Sequence, residues 1–240
     1  MKYKILWSDR FLKDGTPDES IWNIEHAGHG FGNNENQFYT KDLKNAYIKD
    51  GILNIVAYKE KYEHRDYTSA KLTTFKKKSI QYGRIEVMAK IPEGAGTWPA
   101  IWFLGEQFSE IGWPICGEID LMEHVGRNPK NIHFSLHSKS FNFHRHNQPT
   151  MVVYKEDIFE GFHEYAINWD EKQISFELDR KKVATFTKKK NADVEEWPFN
   201  QPMYLILNLA IGGNWGGAID DSIFPVTLQF KYVNVYERSE

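Results

Sequence analysis

The 240-residue chain is poor in cysteine, in helical patterning and in long apolar runs, and each shortage closes a class. One cysteine, Cys116, leaves no pair for an intrachain disulfide. No apolar stretch approaches the ~18 residues that a membrane-spanning helix needs, so no membrane partner is expected. Lys+Arg number 30 against Asp+Glu 33, which is not the basic surplus of a nucleic-acid binder. There is no internal repeat, no low-complexity tract and no Pro/Ser-rich linker. The expectation is one domain over 1–240 and a monomer. The opening MKYKILWSDR carries charges but no long apolar stretch, so it does not read as a leader. Localisation stays open between a cytoplasmic chain starting at Met1 and an extracellular one whose leader was removed.

What the chain has in excess is aromatic rings: 15% of residues, with 8 Trp and 12 Tyr. Such rings fill cores, or line clefts with a hydrogen-bonding rim. Alternation dominates the rest. In GRIEVMAKI, Ile85, Val87, Ala89 and Ile91 take one parity and Arg84, Glu86, Met88 and Lys90 the other. QISFELD and HEYAINWD repeat that period of two, the signature of half-buried strands. Asp50-Gly51 marks a hairpin turn, and a short polar turn separates FELD from VATF. Only Glu156 to Phe162 offers a turn or two of helix. The lysine runs at 76–78 and 188–190 read as solvated turns. Many short strands between turn signals predict an all-β antiparallel sandwich whose sheets, if curved, leave a concave groove.

The chemistry concentrates in GWPICGEIDLMEHVG. On a regular strand Glu118 and Asp120 share a face and Glu123 has the wrong parity. A β-bulge near Leu121 or Met122 would bring Glu123 into line. Glu118 and Glu123 would then stand roughly 13 Å apart at Cα, at ~3.3 Å per step. Their carboxyls could lean to the about 5–5.5 Å of a retaining glycosidase pair, and the about 6.5–9.5 Å of an inverting pair stays open. Crowded acids in a partly dry site cannot all ionise, so one would hold a proton. Spacing alone leaves three readings: catalytic carboxylates, a solvated acidic face, or oxygen ligands for a cation.

GEIDLMEHVG resembles the bulged E-x-D-x-x-E signature of glycoside hydrolase family 16 in its laminarinase branch. The likeness runs on in order through GFGNNENQFYT, NAYIKDGILNIVA, YTSAKLTT, YGRIEVMAKIP, GTWPAIWFLG, MYLILNLAIGGNW and DDSIFP. It implies a curved β jelly roll, concanavalin-like, and a retaining endo-β-1,3-glucanase acting on β-glucan without a cofactor. Another family 16 glycan, such as mixed-linkage β-1,3-1,4-glucan or agarose, is the alternative substrate. A non-catalytic β-glucan-binding protein is the alternative of another class. By the resemblance Glu118 matches the nucleophile, Glu123 the acid/base and Asp120 the carboxylate that assists the nucleophile.

The resemblance also assigns the surroundings. His137, which by itself reads as a satisfied strand histidine, comes beside the acid/base. Trp98 and Trp113 line the subsites at the cut bond, and Trp102 and Trp215 are further cleft candidates; the bland alternative for each is core packing. Arg84 and Asn45 match residues that hydrogen-bond the sugar on the nucleophile side, and for Arg84 the alternative is a surface ion pair. His133 reads as structural, as do Trp7, Trp22, Trp169 and Trp197. His144 and His146 lack a third zinc ligand. Many relatives carry a structural calcium bound by an acidic residue of the last strand. Here FKYVNVY puts Lys231 at that position, and SDEF becomes Ser8-Asp9-Arg10-Phe11. An ammonium cannot ligate a hard cation, so calcium is expected to be absent, with Lys231 in its place.

Overall fold

A computed structural model describes residues 2–239 as two stacked, mainly antiparallel sheets. The larger sheet runs, strand by strand, through Lys181–Thr187, Gln173–Leu178, His163–Trp169, Gly83–Lys90, Val226–Ser239, Ile52–Tyr62, Arg65–Ser69 and Gln37–Tyr39. Lys2–Asp9 and Ala46–Lys49 pair onto it. The smaller sheet runs through Thr150–Tyr154, Asn131–His137, Glu118–Glu123, Thr97–Gly105, Met203–Ile211, Lys71–Thr73 and Asn23–Ile24, with Ser79–Ile80 against Met203–Ile211. This is the all-β sandwich that the alternation predicts, in the jelly-roll form that the resemblance implies.

Period two does the sorting. Along Gly83–Lys90 buried and half-buried residues alternate without a break, with Ile85, Val87 and Ala89 inside. They meet Ile101, Phe103, Ile119, Phe134 and Leu207 of the smaller sheet in one continuous core. Each fully buried side chain of this size contributes about 1.5–3 kcal/mol of burial, so the sandwich closes without a disulfide. Hairpin chemistry fixes the register. Asp50 and Gly51 both take positive φ and bring Lys49 opposite Ile52. Asp179 and Arg180 do the same between Leu178 and Lys181. The stretch from Glu156 to Phe162 forms turns and no helix; Ile158 is buried in the core and Phe159 packs against it. Among the described residues the α-helices are single turns at Phe108–Ile111 and Gly213–Gly216, with 3-10 turns at Phe143–Arg145 and Asp221–Ile223.

Two smaller apolar clusters lie outside the main core. One joins Leu104, Cys116, Tyr204 and Ile206 to Phe75, Trp102 and Trp113. The other joins Trp98, Val125 and Ala210 to Trp215. Both belong to the outer face of the smaller sheet, and the acids stand between them.

Candidate active site

The strand Glu118–Glu123 carries the bulge that its acids require. Against Thr97–Gly105, Glu123 pairs with Ala100, Met122 with Ile101 and Asp120 with Trp102, so Leu121 is the extra residue. The same irregularity separates Asp120 from Glu123 against Asn131–His137. Leu121 and Met122, consecutive in sequence, are both fully buried in the main core. Two neighbours turned the same way reset the parity, and Glu123 joins Glu118 and Asp120 on the outer face.

Burial then governs the protons. Asp120 is nearly inaccessible, and burial pushes its carboxyl up to about 8, against a hydrogen bond with Glu118 that lowers it. Glu123 is pushed up to about 8 by burial and then by the charge of Asp120. His137 and the Trp98 indole, which donates from Nε1 to Glu123 Oε1 at 3.1 Å, pull the other way. Glu118 rises well above the ordinary value through burial and Asp120, opposed by His137. Three carboxyls so placed cannot all be charged at neutral pH.

His137 joins this cluster with a correction. Its register partner is Glu118, and its Nε2 lies 3.1 Å from Asp120 Oδ2 and 3.7 Å from Glu118 Oε1. It therefore stands on the Glu118 side, whereas the resemblance puts it beside Glu123. The residue opposite Glu123 is His133. Glu118, Asp120 and His137 each offer one atom within 4.8 Å of the others, a spacing that a cation could also use.

The tryptophans divide between the two ends. At the Glu123 end Trp98 meets Trp215 edge to face, with centroids 5.3 Å apart. At the Glu118 end Trp113 packs against Phe143 and His144, with His137 at 6.1 Å. Trp102 faces outward beside Asp120, its indole donating to Asn208 Oδ1 at 2.7 Å. All four candidates therefore lie on the acid face.

Arg84 and Asn45 do not. Arg84 projects from the outer face of the opposite sheet, where it donates to Glu86 and Glu177 and to Asn168. That is the surface ion pair of the bland reading. Asn45 is fully buried at the edge of that sheet, bonded to Thr40, Thr68 and the Val56 carbonyl. Parity tells inside from outside; it does not tell one sheet from the other.

The site also holds groups that the sequence reading passed over. Lys71 lies half-buried on the acid face, its ammonium 4.8 Å from the Phe31 ring and 5.4 Å from the Trp102 ring. Burial lowers its pKa, and Glu25, Glu35 and Glu118 oppose that. Beneath Trp102 a buried chain runs from Asn208 to the Tyr39 hydroxyl (3.0 Å), from that hydroxyl to Glu35 (3.4 Å), and from the Gln37 amide to Glu35 (2.6 Å). Its signal was the alternation Glu35-Gln37-Tyr39 in NNENQFYT, a polar stripe where a core stripe is expected.

The profile of glycosyl hydrolases family 16 matches residues 32–227. The chain belongs to glycosyl hydrolase family 16. Over 243 residues, 98% of the chain and 85% of the relative, it is 42% identical to a beta-glucanase of Rhodothermus marinus. It is 34% identical to glucan endo-1,3-beta-glucosidase A1 of Niallia circulans, but spans 38% of that longer protein. The crystal structure of the laminarinase from Rhodothermus marinus superposes with a TM-score of 0.97 at 41% identity, covering 100% of this chain and 99% of the other. The acids of this family 16 glycoside hydrolase are thus held by a fold it shares with a solved laminarinase.

Proposed function

We propose that the acid face hydrolyses internal β-1,3-glucosidic bonds of laminarin-type glucans with retention, Glu118 acting as nucleophile and Glu123 as acid/base. The observation that carries this reading is the bulge, which sets both glutamates on one face with a buried aspartate between them. Glu118 attacks the anomeric carbon while Glu123 protonates the departing glycosidic oxygen. Glu123 then takes a proton from water, which displaces Glu118 from the glycosyl-enzyme. For attack the proton shared by Glu118 and Asp120 has to sit on Asp120 and leave Glu118 charged, although burial and Asp120 raise Glu118 well above its ordinary value in the free protein. Trp98, Trp102, Trp113 and Trp215 supply apolar faces for sugar C–H surfaces. The chemistry needs no cofactor.

Reducing-end release from laminarin, lichenan and agarose, with E118Q alongside, tests this directly. Release chiefly from laminarin that vanishes in E118Q is the expected result. Release chiefly from lichenan or agarose would keep the mechanism and replace the substrate. Glucan retention with no release would support a binding protein instead.

Lys71 faces the same substrate. Among the described residues its ammonium makes no hydrogen bond, and the Phe31 and Trp102 rings flank it. A charged hydrogen bond to a sugar hydroxyl is worth about 1.5–3 kcal/mol, so K71M should raise KM roughly 10- to 100-fold, measured on laminari-oligosaccharides.

No structural calcium is proposed, because the residues do not suit one. The Lys231 ammonium sits 4.2 Å over the Phe162 ring. The two oxygens of Asp9 are taken by the Phe11 backbone N–H and the Trp22 indole, each at 2.8 Å. A site filled at a hundred times its Kd would add about 2.7 kcal/mol. In a chain of this size that is roughly 5–10 °C in Tm. The expected result is the same Tm in calcium and in EDTA by scanning calorimetry.

A further inference from the structure

We propose that His133 is a positioning residue for the acid/base: an uncharged ring that wedges Trp215 against Trp98, holds Glu123 in place and keeps water from its flank. The proposal rests on the reading of Glu123 as acid/base.

The placement comes first. His133 stands directly opposite Glu123 in the ladder and shares its face with Ser135 and His137. Its ring meets Trp215 at 4.9 Å, nearly perpendicular. Trp215 meets Trp98 in the same manner, and Trp98 donates to Glu123. Three rings thus run from the neighbouring strand around to the carboxyl. The single-turn helix Gly213–Gly216 presents Trp215, and Gly216 is buried beside Trp98. On its other side the Trp215 indole packs against the cluster of Trp98, Val125 and Ala210, and His133 closes the remaining edge.

Charge comes second. His133 Nε2 is sealed from solvent and has no hydrogen-bond partner. An imidazolium there would seal an unpaired Nε2–H away from water on a half-buried ring, which is costly. Burial accordingly holds His133 below the ordinary histidine value, and holds the adjoining His124 down to about 4. The other titratable groups facing Glu123 are Asp120 and Glu118 on its own strand and His137 on the next. Strand Thr97–Gly105 contributes the neutral Trp98. Arg127 runs past Gly217, just beyond the short helix. A neutral ring at position 133 therefore adds bulk beside the acid without adding a cation that would strip its proton.

The test is the pH profile of kcat and KM on laminarin for H133F, H133A and H133K in the full chain, each first checked for native Tm. H133F keeps a flat neutral ring and should hold kcat within about threefold, with the basic limb unmoved. H133A should lower kcat roughly tenfold with little change in KM, and shift the basic limb toward lower pH as water reaches Glu123. H133K should shift that limb by about one unit or more in the same direction, because a cation favours the carboxylate. If H133A does not fold, H133Q takes its place. A folded H133A or H133Q with the parent's kcat and basic limb would overturn the proposal, as would an H133F that loses as much as H133A. The control is E123A. A basic limb that survives E123A overturns the acid/base reading and this proposal with it. A limb that vanishes in E123A but stays put in H133A overturns this proposal alone.

Discussion

Glu118→Gln should abolish laminarin turnover, by at least about 10⁴-fold in kcat, while leaving the protein folded and its glucan binding intact. The amide has the size of the carboxyl but cannot form the glycosyl-enzyme, so the loss falls on the first chemical step. A smaller variant sharpens the assignment. In E118A the vacated space admits azide, which should attack an activated aryl β-glucoside oligosaccharide from the nucleophile's side and give the α-glycosyl azide. Stability should move the opposite way from activity. Glu118 has a folded-state pKa above its unfolded value, raised by burial and by Asp120. Such a group favours folding fully below its unfolded pKa, and that contribution is lost as pH rises through the folded one. The neutral amide removes this dependence. The Tm of E118Q should therefore exceed the parent's at pH 8, with the gap narrowing toward pH 4. An E118Q that retains activity would move the nucleophile elsewhere. One that unfolds at pH 8 would mean that Glu118 is needed as a charge for structure.

Much of this was legible in the sequence, for a physical reason. Alternation in GRIEVMAKI sorts core from solvent because the pleat has period two, and the structure keeps that sorting residue by residue. The bulge was legible because three acids in six residues have conflicting parity, and one extra residue resolves it. What remained hidden depends on distant pairing. Asn45 and Arg84 have suitable side-chain types and Arg84 a suitable parity, yet Arg84 belongs to the opposite sheet and Asn45 is buried just before that sheet's strand Ala46–Lys49. His137 and His133 lie four residues apart on one strand, and the strand offset alone decides which faces Glu118 and which Glu123. Lys71 reads in sequence as one more exposed lysine. It becomes a cleft cation only where the fold brings up Phe31 and Trp102. The Asn208–Tyr39 bond spans 169 residues, and no local pattern announces it.

The acid/base gives the second large effect, and its signature differs from that of the nucleophile. E123A should lower kcat/KM on laminarin by about 10²–10⁴-fold, the range of a lost general acid. On an aryl glycoside whose leaving group needs no proton, the first step should survive and the glycosyl-enzyme should accumulate. Azide then attacks that intermediate from the face water uses, so the product is the β-glycosyl azide, opposite in configuration to that from E118A. The pH profile follows from the same residue. Burial and the charge of Asp120 raise Glu123 to about 8, so its proton is present at neutral pH and lost above that value. Activity of the parent on laminarin should accordingly fall with a limb near pH 8 and lie flat below it until the nucleophile is protonated. That acidic limb should stand above the ordinary glutamate range, because Glu118 is raised as well. E123A assayed on the activated substrate should lose the limb near pH 8 and keep the acidic one. If both limbs stayed, the proton would come from elsewhere on the face. If azide gave the α-product from E123A, the roles of the two glutamates would have to be exchanged.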